Sequence, residues 1–229
     1  VTKLIFAVHG SESAAALTSP DFRAALAGVG ATAVQVNIDD DAVEGALRFG
    51  PGEPIVVLVS VWADADIAPV LEVVAGRAGD PNLHAYRVAE RVRLDPLPTS
   101  DGVRTDVMAQ VALLRRPESM SREDYMTYWM HTHTGIAIRT QNTSGYIQNV
   151  VEEALTPASP TLSAIVEEHF PMASMTDPHE FYGSRGDDAE LGRRITELMT
   201  SVAAFGADQG LDLVPTSRYF WSIEASSTR

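Results

Sequence analysis

The sequence predicts an α+β fold: two ferredoxin-like β-α-β-β-α-β repeats closing together as an intrachain pseudo-dimeric α/β barrel. The first observation is the order of elements, which reads strand, helix, strand, strand, helix, strand twice along the 229 residues. The second is Asp95 to Gly102 (DPLPTSDG), a proline- and turn-rich stretch between the two runs. The third is elementary. One such unit covers one sheet face with helices and leaves the other apolar face bare, so two bare faces in one chain pack together. The units are residues 1–95 and 105–229, joined by a linker at 96–104.

Thr2 to Val8 (TKLIFAV) is short and β-branched and reads as a strand that Gly10 and Ser11 end. Ser19 caps a helix with Pro20 in its first turn, running to Ala27 before Gly28 and Gly30. Ala33 to Ile38 alternates as a half-buried strand. Asp39 to Asp41 reads as a solvated turn or helix entry. Ile55 to Trp62 (IVVLVSVW) is the strongest strand signal. Asp66 to Arg77 places Ile67, Val70, Leu71 and Val74 at helical spacing, and Gly79-Asp80-Pro81 ends the helix. His84 to Leu94 closes the first half. In the second half the strands are Val107 to Leu114, Tyr146 to Val151, Thr161 to Phe170 and Ser217 to Ile223. A helix runs from Ser121 to about Arg139, and helical segments broken by Gly183 and Gly186 fill Pro178 to Phe205.

Composition excludes several classes. There is no cysteine, so disulfides, thiolate metal sites and cysteine nucleophiles are absent. Formal net charge is −14 and Lys3 is the one lysine, a balance that repels nucleic acid and anionic lipid. No apolar run approaches the ~20 residues of a membrane span. The N-terminus lacks the pattern of a signal peptide, so a cytoplasmic protein is expected. No Gly-x-Ser-x-Gly, phosphate loop or dinucleotide fingerprint occurs.

The chemistry-bearing residues cluster in the second half. Tyr125, Trp129 and His133 are four apart and share one helix stripe, with Tyr128 beside it. The stripe either faces a cavity or packs as ordinary core. His131 lies about 200° round the helix from His133, so the two do not share a site. On the strand ending at Phe170, Glu167 and His169 share one face, and Val166, Glu168 and Phe170 take the other. A glutamate beside an imidazole raises its basicity and fixes its tautomer, which makes an acid/base unit. Ser60 and Trp62 stand at the equivalent places of the first half. Tyr146 and Gln148 share a face and can orient a polar ligand. His9 and His84 are isolated in sequence and read as structural.

LLRRPESMSREDYMTYWMHTH, with GYIQNVV and VEEHF downstream, resembles the EthD family of the dimeric α/β-barrel superfamily. Leu114, Arg115, Pro117, Met120, Ser121, Tyr128, Trp129 and His133 carry the match, which spans roughly 106–222. The first half resembles the family in layout alone. The resemblance implies a barrel holding a small ligand and a role beside catabolic or biosynthetic oxidations. The wider superfamily includes polyketide cyclases, lactone isomerases, small monooxygenases and haem-binding enzymes.

The expected function is a cofactor-independent enzyme of lyase, isomerase or cyclase type acting on a small hydrophobic, ring-containing substrate. His133 and His169 exchange protons, Glu167 sets His169, and Tyr128, Trp129, Tyr146, Gln148, Trp62 and Ser60 surround the substrate. The alternatives are a haem protein with His133 or His169 as ligand, and a non-catalytic accessory module. A homodimer of the whole unit is compatible with the sequence.

Overall fold

The computed structural model describes residues 1–10, 13–64 and 66–223. The predicted end of the first strand at Ser11 lies outside the described residues. Strands β1 (Thr2–Val8), β2 (Ala31–Ile38), β3 (Val57–Ala63) and β4 (His84–Leu94) precede the proline-rich stretch. β5 (Met108–Leu114), β6 (Gly145–Ala154), β7 (Ala164–Phe170) and β8 (Asp212–Ser222) follow it. All eight pair antiparallel in the closed order β1-β3-β2-β8-β5-β7-β6-β4. The two seams that join the halves are β2 with β8 and β4 with β6.

Helices α1 (Ser13–Leu17), α2 (Pro20–Gly28) and α3 (Ile67–Ala78) cover the outside of the first four strands. Ser19 caps α2, its hydroxyl accepting from the Phe22 N–H at 3.1 Å. Gly79 ends α3 in the left-handed conformation, with φ of 61°. Phe22, Leu26, Val70 and Val74 press onto Leu4, Phe6, Val59 and Val61 in one fully buried cluster. Among the described residues, this cluster fills the space between these helices and their strands.

The second half is covered differently. α4 (Arg122–Thr127) passes through a π turn (Tyr128–His133) into α5 (Thr134–Thr140), so the predicted single helix is present with one wide turn inside it. The Thr134 N–H reaches back to Trp129 O, and its hydroxyl donates to the same carbonyl at 2.8 Å. Ser121 starts the helix by accepting from the Asp124 N–H at 3.0 Å. Ser121→Ala removes that acceptor, and chemical denaturation is expected to show a loss of about 1 kcal/mol. α6 (Pro178–Tyr182) ends at Gly183, whose φ is 62°, and α7 (Asp188–Ala204) is capped by Asp187.

β8 begins five residues before the predicted Ser217. Pro215 lies in the added stretch, and a proline argues against a sheet interior. Over Asp212 to Thr216, however, the one strand β8 pairs with is β5, with a single bridge from Phe49 to Leu213, and it joins β2 from Ser217 onward. Pro215 falls between the Phe49 bridge and the first β2 pair, where a residue without an N–H is tolerated.

The barrel interior corrects one expectation. It is filled by side chains rather than holding ligand space between the sheets. One end is apolar, with Ile5, Leu58, Tyr86, Val88, Val111 and Leu113 in a single cluster. The other end is a buried polar network. His169 Nε2 meets Glu167 Oε1 at 2.6 Å, and Gln35 donates to Glu167 Oε2 at 2.7 Å. Arg218 donates to Gln35 at 2.8 Å and lies 3.4 Å from Glu167. Asn37 donates to Thr216 at 3.0 Å, and Lys3 pairs with Glu90 at 2.6 Å.

Candidate functional site

The open space lies outside the barrel, between the helix-facing side of the second-half strands and the helices over them. It is a cavity of about 610 Å³. Its floor comes from β5, β6 and β7, where the small Ala112 and Val166 leave depth beneath the helices. Trp129 and His133 project from the π turn, and Leu198, Val202 and Phe205 close the side of α7. The mouth is rimmed by the loop between β2 and β3. Leu47 and Phe49 of that loop line the space while 69% and 49% exposed. Two backbone hydrogen bonds between Phe49 and Leu213, of 3.2 and 2.7 Å, tie the loop to β8.

An imidazole and a carboxyl, His133 and Glu168, face this cavity from inside the fold. His133 hydrogen-bonds through Nδ1 to Ser201 Oγ at 3.0 Å, and Phe205 packs on its ring at 4.8 Å between centroids. Its Nε2 has no hydrogen-bond partner among the described residues. Burial pushes the imidazole down to about 4, so it is neutral at pH 7. Glu168 enters from β7. Burial, with no cation beside it, raises its carboxyl to about 7. With the Gln141 amide turned so that its nitrogen faces the two nearby acceptors, it donates to Ala137 O at 3.2 Å and to Glu168 Oε1 at 3.1 Å. Tyr146 lines the floor, and burial keeps its phenol protonated.

The expected site residues therefore fall into two places. Trp129, His133 and Tyr146 come together on the cavity wall. Gln148 shares Tyr146's face, as their spacing requires, but sits under the helix and donates to Thr134 at 2.8 Å. Tyr128 stacks on Phe205 at 5.6 Å behind the wall. His131 is exposed.

Glu167, His169, Ser60 and Trp62 point the other way, into the barrel. Ser60 lies between Ile5 and Gln35 in the register, and Trp62 donates to Glu90 at 3.0 Å. His169 is fully buried against Gly145, where an added Cβ would stand 2.7 Å from Nδ1. His133 and His169 are thus on opposite faces of one sheet, and the expected proton exchange between them has no route. The reason is the pleat. Residues 167 and 169 share a face, and the helix covers the face of 166, 168 and 170.

Glu168 lines the cavity although the sequence expectation left it out of the site, and it lies on the face that alternation gave it. A charged side chain between Val166 and Phe170 on a helix-covered face was its signal. Gln141 and Ser201 carried no local signal. His9 and His84 meet although 75 positions separate them, with ring centroids 4.5 Å apart and His9 bonded to Asp80.

These features define a closed antiparallel α+β barrel with a side cavity under its second set of helices. No family model matches the sequence, and no curated protein sequence matches it. Among solved structures, the chain is similar to an anthrone oxidase-like protein at TM-score 0.52 and 9% identity, over 100% of this chain and 95% of the other. It is also similar to a candidate monooxygenase of Fusobacterium nucleatum subsp. nucleatum at TM-score 0.51 and 7% identity, over 96% and 94%. At such identities the likeness is one of fold. No described helix is long and apolar enough to cross a membrane.

Proposed function

We propose that the chain is a fused, EthD-like barrel enzyme that moves a proton on a small hydrophobic, ring-containing molecule held in the side cavity. The carrying observation is that His133, with Nε2 unpartnered, and Glu168 face one largely apolar space. In this reading the two β-α-β-β-α-β halves are repeats, and the first has become a scaffold. Its strand orders support that: β2-β3-β1-β4 in one half and β6-β7-β5-β8 in the other. The first half has filled its helix-side space, and the second has kept it.

Neutral His133 takes a proton at Nε2 and passes it on, because burial keeps the ring from holding the charge, and Ser201 fixes the ring through Nδ1. Phe181 and Tyr182, both half-buried, offer ring surface to the ligand, and the fully buried Trp129, Phe205 and Tyr146 border the space from within the core. Glu168 holds the polar end of the molecule. Lyase, isomerase and cyclase chemistry all begin from such a transfer.

Haem fits these residues poorly. His133 Nε2 is a ligand in kind, but no Arg or Lys lines the cavity to receive two propionates. His169 Nε2 is engaged by Glu167 inside the barrel. Titration with haemin is expected to give no saturable Soret band.

Proton abstraction can be read without knowing the product. Bicyclic aryl ketones, with and without an amino group, are incubated with the protein in heavy water and weighed by mass spectrometry. Enzyme-dependent deuterium uptake at the carbon beside the carbonyl is expected. His133→Ala should slow it by about 10²–10⁴-fold. Uptake at the wild-type rate in that variant would remove His133 from the role.

A further inference from the structure

The cavity's polarity is one-sided. Of the residues that line it, Glu168 and Asp208 are acidic and none is Lys or Arg. Glu168 is 8% exposed, and Gln141 is its one protein donor among the described residues. Gln141 reaches Oε1, which leaves Oε2 without a donor. A buried carboxylate lacking a counter-charge is costly, and a protein keeps one where something supplies the missing charge. Around it stand rings: Trp129, Tyr146, Phe181, Tyr182 and Phe205. Aromatic rings and a carboxylate together are the chemistry that receives a ring-bearing organic ammonium. The whole chain, at −14, also attracts cations toward its surface.

We infer that the ligand of this cavity is a ring-bearing organic amine, its ammonium group pairing with Glu168 and its ring lying among the aromatic walls. This rests on the cavity being the functional site, and it adds the charge class of the molecule. Glu168 then positions and neutralises the ligand, leaving His133 as the proton-transfer group. Carboxylates and phosphates are rejected by like charge. Glu168 titrates near 7, so the paired complex gains as pH rises from 6 to 8, where the carboxyl ionises and the amine keeps its proton. A neutral ligand that accepted a hydrogen bond from protonated Glu168 would show the opposite trend.

Three isosteric probes separate the cases by calorimetry or fluorescence: 1-naphthylmethylamine, 1-naphthalenemethanol and 1-naphthoate. The amine is expected to bind about tenfold or more tightly than the alcohol at pH 8. The naphthoate should bind weakest. The amine's advantage should fade toward pH 6 and vanish in Glu168→Gln. If the alcohol matches or exceeds the amine at pH 8, the amine assignment is overturned while the cavity remains a binding site. If none of the three binds, the cavity reading fails with it.

Discussion

Glu168→Gln is expected to make the protein more stable at pH 8 by about 3 kcal/mol. Folding raises the Glu168 carboxyl from its ordinary 4.5 to about 7 because burial penalises the charged form. That gap, at about 1.36 kcal/mol per pH unit, is about 3 kcal/mol. The sign follows from proton counting. Between 4.5 and 7 the folded protein keeps a proton that the unfolded chain releases. Stability from this group is therefore complete below 4.5, falls across the window and stays low above 7. Glutamine mimics the protonated form and does not titrate. Thermal denaturation should show the variant melting higher at pH 8, by about 2–4 °C per kcal/mol, with the gap narrowing toward pH 5. An equal offset at both pH values would mean that Glu168 titrates normally. The gain in stability comes with the loss of amine binding, the usual opposition of stability and function at a site.

Glu167→Ala is expected to do the reverse and destabilise the fold by about 3–5 kcal/mol. Glu167 is the hub of the barrel's polar end. It accepts from Gln35 at 2.7 Å, contacts His169 at 2.6 Å and faces Arg218 at 3.4 Å. Burial alone would raise its carboxyl. The bonded His169, then Arg218 and Lys3, hold it well below the ordinary range instead. Its contribution is thus complete above 4.5 and is lost as pH falls below that value. Removing it strands Arg218 and Lys3 in the interior with Glu90 as the remaining nearby acid. Urea denaturation measures the loss, and a change under about 1 kcal/mol would contradict the hub. The folded fraction should still bind naphthylmethylamine, because Glu167 and the cavity lie on opposite sides of the sheet.

Much of the fold was legible because local signals agreed with the global arrangement. β1 and β4 have the predicted bounds, since Gly10 follows the one and Asp80-Pro81 precedes the other. Ser19, Ser121 and Gly79 marked helix ends by chemistry that acts within one turn. The early start of β8 was not legible, because a proline at 215 is tolerated there only by virtue of where β2 begins to pair. The site was legible in part. His133, Trp129 and Tyr146 came from spacing and resemblance, and all three reach the cavity. The wrong step was to put that cavity inside the barrel. Alternation told which residues share a face, but it could not tell which face was packed solid. That depends on Gln35, Arg218 and Lys3 arriving from distant strands to occupy the interior. Nor could periodicity reveal the π turn, which turns on one threonine bonding back to Trp129.

The most direct test is a carbon-13 titration of the Glu168 side-chain carboxyl by NMR, assigned against Glu168→Gln, with and without naphthylmethylamine. A midpoint near 7 in the free protein, dropping when the amine is added, is the expected result. An ordinary carboxylate midpoint that the amine leaves unmoved would place the functional site elsewhere.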